Sequence, residues 1–269
     1  MWTVEIVVSV LAVSAFAGLL AGLLGIGGGL ILVPIVLWVL HLQGVDSPYA
    51  QHIAVGTSFL VMVCTSFSSA RAQHKKGAVR WDIVRRIVPG LLIGVAVGSL
   101  LARWIPSRHL QLVFIVFAAV AGVQTLLQLK PKAARQLPGP AGISGAGGVI
   151  GLLSSWIGIG GGTLSMPFML YCNVPVREVV GTSAALGWPI AVTGAVTYLV
   201  AGWSTPDLPD GMLGFTYPLL AALMAVGTVT MAPQGVKLSH KLPPERLKQL
   251  LGILLLILSA NMLYRWLGL

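Results

Sequence analysis

A glycine-rich stretch, Gly25-Ile-Gly-Gly-Gly-Leu-Ile-Leu-Val-Pro34, occurs a second time as Gly158-Ile-Gly-Gly-Gly-Thr-Leu-Ser-Met-Pro167. Further matches follow each copy in the same order: Val55-Gly-Thr-Ser58 with Val180-Gly-Thr-Ser183, then Pro89 with Pro218 and Gly98 with Gly227. Self-similarity over such a long period is the sequence signature of a duplicated structural unit. We predict a first repeat at residues 1–129 and a second at 141–269, joined by a cytoplasmic linker at 130–140 that is rich in Lys, Arg, Pro and Gly.

The composition places these repeats in a membrane. Of 269 residues, 56% are hydrophobic and 9% are charged, and the mean hydropathy is +0.90. A soluble domain carries about 25% charged residues. At about 20 apolar residues per span, the chain accommodates about eight to ten membrane segments. We therefore predict an all-α polytopic membrane protein, whose net charge of +10 reflects basic cytoplasmic loops rather than nucleic-acid binding.

Ten apolar runs lie between polar breaks: 4–24, 30–40, 53–70, 87–102, 110–129, 141–157, 163–172, 179–201, 212–232 and 247–267. The runs 30–40 and 163–172, which follow the glycine stretches, are too short to cross a bilayer. As helices they extend about 15 to 17 Å, roughly half of the hydrocarbon core. We predict that the first two segments of each repeat form a re-entrant helical hairpin, interrupted by the glycine run.

The basic residues test the orientation of the two repeats. If each hairpin returns to its own side, each repeat crosses the membrane an odd number of times, so the second repeat is inverted. This arrangement puts 14 of the 17 basic residues on one side, whereas the best parallel arrangement gives 10 against 7. Because basic loops stay in the cytoplasm, the sequence favours two inverted repeats, with the loops around 71–86, 130–135 and 237–248 cytoplasmic.

The glycine runs are the candidate binding site. Broken helices at membrane depth are tolerated only where they are buried in protein or line a polar cavity. Each short helix directs its first N–H groups and its positive dipole end inward, which favours an anion. The candidate substrate-binding residues are Gly27, Gly28, Gly29, Gly160, Gly161, Gly162, Thr57, Ser58, Thr182, Ser183, Thr163 and Trp156. Two alternatives stay open: the glycines only allow close helix packing, and the hydroxyls bond back to their own helices.

Ionisable residues add little to this site. No carboxylate lies in the middle of an apolar run, and the histidines lie near the ends of the runs, so the sequence predicts no buried proton relay. Arg71 is either an anion-attracting residue of a vestibule or an interfacial anchor. No His, Asp or Glu grouping has metal-ligand or catalytic spacing. We predict no enzyme activity, no metal and no cofactor.

Several motifs together resemble the sulfite exporter TauE/SafE family of membrane permeases. They are the run from Gly22 to Pro34, its copy ending at Pro167, the two Val-Gly-Thr-Ser motifs and the stretch from His74 to Trp81. The resemblance covers essentially the whole chain. It implies secondary transport, often export, of small sulfur-containing anions such as sulfite or organosulfonates across the bacterial inner membrane.

The combined hypothesis is alternating access around an anion held near the midplane by both glycine runs. A passive anion channel and a non-transport subunit of a membrane complex are the alternatives. Proton coupling and a homodimer are both compatible with the sequence, which leaves the coupling ion and the oligomeric state open.

Overall fold

The computed structural model describes residues 3–24, 28–127, 136–206, 208–239 and 244–268. These residues form ten helices: α1 (Val4–Leu24), α2 (Gly29–Leu42), α3 (Ala50–Lys75), α4 (Trp81–Ala102), α5 (Ser107–Leu126), α6 (Pro140–Ile157), α7 (Gly162–Tyr171), α8 (Val176–Gly202), α9 (Pro218–Ser239) and α10 (Pro244–Leu267). Eight of the described helices are long and apolar enough to cross a membrane. The other two, α2 with 14 residues and α7 with 10, are the short helices that follow the glycine runs. The protein is an all-helical, multi-pass membrane protein.

Each predicted apolar run corresponds to one helix, and α1 begins and ends at the predicted residues. The start of α4 was predicted too late, at residue 87, whereas the helix begins at Trp81. Its first two turns carry exposed Asp82, Arg85 and Arg86 beside buried Ile83. When one side of a helix end is charged and exposed and the other side is buried, the apolar run in the sequence stops before the helix does.

The start of α9 was predicted too early, at residue 212. The helix begins at Pro218, and the preceding residues form a tight turn in which Leu213 pairs with Thr216. Proline is favoured at the first turn of a helix because its missing N–H group needs no partner there.

Two long helix pairs are held together by small residues: α1 packs along α9, and α4 packs along α6. On α4, Gly90, Gly94 and Gly98 recur at every fourth residue, and a Cβ on Gly94 would overlap the carbonyl oxygen of Gly148 on α6. Gly18 on α1 lies equally close to the backbone of α9. Small residues at this spacing let helix backbones approach closely, which is how helices associate in membranes.

The middle of the molecule is formed by α3 and α8, which pack against each other, and α5 packs against α10. Phe59 on α3 lies against Gly194 on α8, and its ring centroid is 6.0 Å from that of Tyr198. The Tyr198 hydroxyl donates to the carbonyl oxygen of Ser155 on α6, at 2.8 Å. The two central helices are thereby tied to the helix that leads into the second glycine run.

Of the two short helices, α2 is largely buried and α7 is partly buried. Helix α2 packs on α3, and α7 packs on α8; every residue of α2 from Gly29 to Val36 is buried. Exposed apolar side chains lie instead on the long helices, for example Ile93, Leu219 and Leu250. Such a surface suits lipid, whereas broken helices require protein around them.

Helix ends define two faces. At one, which we call the Lys76 face, Lys76 Nζ donates to Val236 O at 3.3 Å and Arg177 Nη2 donates to Lys76 O at 2.9 Å. The end of α3, the start of α8 and the end of α9 therefore lie together. At the other end of α3, the Arg108 face, Gln51 N donates to Ser107 Oγ at 2.9 Å. There Trp266 Nε1 donates to Arg108 O at 3.0 Å, which brings the end of α10 to the same face.

Candidate functional site

The two glycine runs meet inside the protein. Gly29, the first residue of α2, packs on the backbone of Gly158 and Ile159 at the end of α6. A Cβ on Gly29 would overlap the carbonyl oxygen of Gly158, and a Cβ on Gly158 would lie 2.8 Å from the side chain of Val33. No side chain fits between the runs, so glycine is required here by close approach. We call this contact the glycine junction; Gly27 lies outside the described residues.

Both short helices begin at this junction without a side-chain cap. The N-cap of α2 is Gly28, whose φ of 82° is left-handed, and the N-cap of α7 is Gly161, which follows Gly160. The first backbone bonds run from Ile31 N to Gly28 O, at 2.9 Å, and from Ser165 N to Gly161 O, at 2.8 Å. The N–H groups of 29–30 and 162–164 precede these bonds, as at any helix start. The donors and the positive end of α2 thus lie at the junction, and those of α7 follow three residues after Ile159.

Three hydroxyls lie at or beside the glycine junction. Ser58 Oγ is 2.7 Å from Val55 O on its own helix and 3.2 Å from Gly158 O in the second run. Ser154 and Thr163 flank that run, and their buried hydroxyl oxygens have no hydrogen-bond partner among the described residues. A buried hydroxyl without a partner costs about 1–3 kcal/mol, so these two are available to a bound polar ligand.

The predicted threonines have a different place. Thr57 Oγ1 accepts from Tyr217 N at 2.9 Å, and Thr182 Oγ1 accepts from Arg80 N at 3.0 Å. In both cases the donor is the residue just before a helix of the other half of the chain, α9 or α4. One residue earlier, a Cβ on Gly56 would overlap Phe215 O, and one on Gly181 would overlap Ala78 O. We call these matching contacts the Thr57 clasp and the Thr182 clasp.

The remaining predicted residues lie in ordinary helix contacts. Ser183 Oγ donates back to Val180 O at 2.9 Å, as the second alternative expects. The half-buried Trp156 ties α6 to α4, since its Nε1 donates to Gly98 O at 3.0 Å. Arg71 is exposed near the Lys76 face, at the far end of α3 from the Arg108 face. The glycine junction therefore brings together Gly29, the second run and Ser58, but neither Arg71 nor the two threonines.

Ion pairs surround the Thr182 clasp. Arg80 donates to both oxygens of Asp82, at 2.8 and 2.7 Å, and to Glu178 at the start of α8, at 3.1 Å. Hydrogen bonds to Asp82 first, and then to Glu178, hold the pKa of Arg80 above its usual value.

The Lys76 face contains a second perturbed group. Burial, followed by repulsion from Arg177 and Lys237, lowers the pKa of Lys76.

Aromatic rings surround the Thr57 clasp. The ring centroid of Phe215 lies 5.3 Å from that of Tyr49 and 5.0 Å from that of His52. His52 is 1% exposed, and its Nε2 lies 2.9 Å from Ala102 O. Its Nδ1, and both side-chain polar atoms of the neighbouring Gln51, are buried without a partner among the described residues.

The sequence analysis missed this polar end of α3. Buried polar residues continue along the helix at Gln51, Ser58, Ser66, Ser69 and Gln73. Steps of seven, eight, three and four residues keep them on one side of a helix. That spacing is visible in the sequence. Because these side chains are uncharged, they do not stand out in an apolar run as a charged residue in mid-span would.

Broken helices that meet inside a multi-pass helical protein are typical of secondary transporters. The comparison with family descriptions is specific: residues 10–262 match the family described as sulfite exporter TauE/SafE, so the chain belongs to this family. A "probable membrane transporter protein" of Haemophilus influenzae is 31% identical over 255 residues, covering 94% of this chain and 96% of that protein. One of Methanocaldococcus jannaschii is 25% identical over 260 residues, covering 93% of each. No solved structure matches the chain.

The family resemblance predicted from the sequence is confirmed. The chain belongs to a family of transporters rather than enzymes, and the family implies a small anionic substrate.

Proposed function

We propose that this protein exports small sulfur-containing anions, such as sulfite or an organosulfonate, across the bacterial inner membrane. The observation that carries the proposal is the glycine junction, where Gly29 packs on Gly158 and Ile159. The uncapped start of α2 is part of this junction, and the uncapped start of α7 follows three residues after Ile159. Membership of the sulfite exporter family supplies the class of substrate.

The chemistry of the glycine junction suits a sulfite or sulfonate group. N–H groups before the first helical bond can donate to oxyanions, and the helix dipoles favour negative charge. The hydroxyls of Ser154 and Thr163 add two buried donors that have no partner in the described part of the chain. Of the described carboxylates, Glu5, Asp46, Asp82 and Asp210 are exposed and Glu178 is half-buried. None of them lies at the junction to repel an anion.

Two inverted repeats account for the helix packing. If α1–α5 and α6–α10 are numbered as matching sets of five, α1 with α9 and α4 with α6 are exchanged versions of the same contact. The central pair α3 with α8, and the outer pair α5 with α10, each join matching helices. The two clasps repeat the exchange at the level of single atoms. This pattern supports a two-fold relation between 1–129 and 141–269.

The charges support an orientation. Basic residues from both halves, Lys76, Arg177 and Lys237, are close enough at the Lys76 face to affect one another. Since basic loops are retained in the cytoplasm, we assign this face to the cytoplasm and the Arg108 face to the outside.

Alternating access follows from these parts. Because the glycine runs touch, an anion enters only when the two halves separate at the junction. Each clasp ties a loop of one half to a central helix of the other half, so release of one clasp opens one face while the other clasp stays closed. The Thr57 clasp controls the Arg108 face, and the Thr182 clasp controls the Lys76 face.

The experiment is flux in proteoliposomes containing the purified protein. Sulfite, sulfoacetate, taurine, thiosulfate and sulfate are offered in turn, with and without a pH gradient. We expect uphill accumulation of sulfite or of one organosulfonate. Flux without uphill accumulation under any gradient would indicate a passive channel, and no flux with any of these anions would contradict the proposal.

Two variants test the site itself. Ser154→Ala and Thr163→Val each remove a hydroxyl that bonds to none of the described residues, so the unfolding temperature should not fall. Losing a hydrogen bond to a charged ligand should weaken substrate affinity roughly ten- to a hundredfold. The control is Ser155→Ala, because Ser155 Oγ already donates to Leu152 O at 2.7 Å. Unchanged affinity in both test variants would contradict a site at the glycine junction.

A further inference from the structure

The start of α3 holds two buried polar side chains that the anion site does not use. Gln51 and His52 are each 1% exposed. Gln51 Nε2, Gln51 Oε1 and His52 Nδ1 have no hydrogen-bond partner among the described residues. Buried polar atoms are nearly always paired, so adjacent unpaired groups call for an explanation. In a membrane protein, an intramembrane ionisable residue indicates a functional site.

The contacts of His52 fix the chemistry of its ring. Its Nε2 lies 2.9 Å from Ala102 O. A carbonyl oxygen can only accept, so Nε2 carries a hydrogen and donates it. The neutral ring then has its lone pair on Nδ1, the atom without a partner. His52 is thus held in one tautomer, with its basic nitrogen free to take a proton.

The surroundings of the ring carry no charge. Tyr49, before α3, and Phe215, in the segment before α9, contribute the neighbouring rings, and the last residue of α4 contributes Ala102 O. The described charged residues of these elements and His109 are exposed: Asp46, Arg103, Arg108, His109 and Asp210; the titratable groups that stay inside are the phenols of half-buried Tyr49 and buried Tyr217. A proton on His52 would therefore create a buried positive charge with no carboxylate beside it.

That charge would arise next to the Thr57 clasp. Phe215, whose ring packs on His52, presents its carbonyl oxygen to Gly56, and Tyr217 N donates to Thr57 Oγ1. The clasp is thus within one and a half turns of His52 on the same helix. A charge in an apolar environment is costly unless water reaches it, and water reaches His52 only when the segment around Phe215 moves away.

We propose that His52 is the proton-binding residue of this protein and that its protonation opens the Thr57 clasp. In the step, the segment around Phe215 first moves briefly away from α3, and the Nδ1 lone pair takes a proton from the water that enters at the Arg108 face, forming an imidazolium. The buried charge then keeps the segment apart from α3, and loss of the proton to water allows it to close again. This inference rests on the proposed function, because it supplies the proton coupling of the transport cycle.

The first test does not depend on transport. Cys64 and Cys172 are replaced by Ala, and Thr216, which is fully buried beside the clasp, is replaced by Cys. Labelling of residue 216 by a membrane-impermeant maleimide is then compared after brief exposure to each pH between about 5 and 8, the range in which histidine ordinarily titrates. To remove the reagent's own pH dependence, the rates are divided by those of a Cys at exposed Leu213. We expect the ratio to rise about tenfold as the pH falls, as one proton binding event allows.

The matched variants are His52→Gln, which keeps a side-chain donor for Ala102 O but does not titrate, and His109→Gln, which alters an exposed histidine of the same face. The pH dependence should vanish in the first and persist in the second. A flat ratio in the protein that retains His52 would overturn the proposal even if His52→Gln does not fold.

The second test uses the proteoliposomes. His52→Gln should retain exchange of labelled for unlabelled substrate across the membrane and lose uphill accumulation driven by a pH gradient. Proton-driven accumulation at the normal level in His52→Gln would overturn the proposal. If no anion is transported at all, the proposed function fails, whereas the labelling result still decides whether His52 controls the clasp.

Discussion

The Thr57 clasp and the Thr182 clasp are built from the same four-residue motif but are covered by different chemistry. In each, a glycine admits a backbone carbonyl of the other half, and the next residue accepts a backbone N–H two residues further along. Aromatic rings and a buried histidine cover the Thr57 clasp. An arginine paired with two carboxylates covers the Thr182 clasp.

The difference teaches that closing a face and controlling its opening are separate tasks. In the proposed cycle, the shared backbone contacts close both faces. In our proposal the cover decides which condition opens each clasp: one cover is aromatic and contains His52, whereas the other is ionic. Since the pKa of Arg80 is raised by Asp82 and then by Glu178, this guanidinium stays charged at every physiological pH, whereas the cover of the Thr57 clasp contains His52, for which we propose protonation.

The largest expected effect comes from the glycines of the clasps. Gly56→Ala and Gly181→Ala would each place a Cβ on a backbone oxygen of the other half, Phe215 O or Ala78 O. Overpacking of this kind costs about 1–3 kcal/mol, and here the backbone itself must move. We expect a clear fall in the unfolding temperature of the purified protein and loss of transport in both.

The control for these variants is Gly145→Ala. Gly145 lies on α6 with open space around its Cβ position, so alanine should be neutral there or stabilise the helix by up to about 1 kcal/mol. Equal unfolding temperatures in all three variants would mean that the clasps do not hold the halves together.

The next effect separates the two clasps. Thr57→Val and Thr182→Val each remove the acceptor of one backbone N–H, which costs about 1–3 kcal/mol when that group stays buried. Tyr217 N is buried, whereas Arg80 N is partly exposed and can bond to water. Thr57→Val should therefore lower the unfolding temperature more than Thr182→Val does.

Serine at residue 57 or 182 should restore most of the lost unfolding temperature, because it keeps the hydroxyl oxygen that accepts the backbone N–H. Thr197→Val is a control for loss of a threonine hydroxyl, since Thr197 Oγ1 bonds only within its own helix, to Thr193 O. If Thr182→Val lowered the unfolding temperature more than Thr57→Val does, the assignment of the buried donor to the Thr57 clasp would be refuted.

The fold was largely predictable because lipid leaves the chain few choices. Apolar run lengths located the helices, and the absence of long runs after the glycines located α2 and α7. The errors fell where tertiary packing decides the boundary: residues 81–86, whose charged side faces out, and residues 212–217, a turn that sits on α3 through Tyr217 N.

The site was less predictable, since identical motifs gave no sign of their partners. The Val-Gly-Thr-Ser motif suggested substrate hydroxyls, but its threonines accept hydrogen bonds from the other half of the chain. Such partners are about 100 and 160 residues away in sequence, beyond any local pattern. Ser154 and Gln51 emerged only when their surroundings were known, because an unpartnered side chain is defined by what is missing around it.

A smaller effect concerns the ionic cover alone. Glu178→Gln breaks the ion pair with Arg80. The side chain of Glu178 is 34% exposed and that of Arg80 is 41% exposed. Exposed pairs contribute about 0–1 kcal/mol, so the unfolding temperature should fall slightly at low salt and not at all near 1 M, where screening is nearly complete. Asp210→Asn removes an exposed carboxylate that makes no ion pair among the described residues, and it should show neither change. A salt-independent fall in Glu178→Gln would contradict an electrostatic role.

The smallest effect is a change in one pKa at the Lys76 face. Burial lowers the pKa of Lys76 most, followed by repulsion from Arg177 and then from Lys237. Arg177→Gln should therefore raise this pKa, and Lys237→Gln should raise it less, as measured by NMR of the dimethylated lysine. Because burial remains, neither variant should restore the ordinary value. If Lys237→Gln had the larger effect, the end of α9 rather than the start of α8 would be the closer basic neighbour of Lys76, and the predicted order of the two repulsions would be wrong.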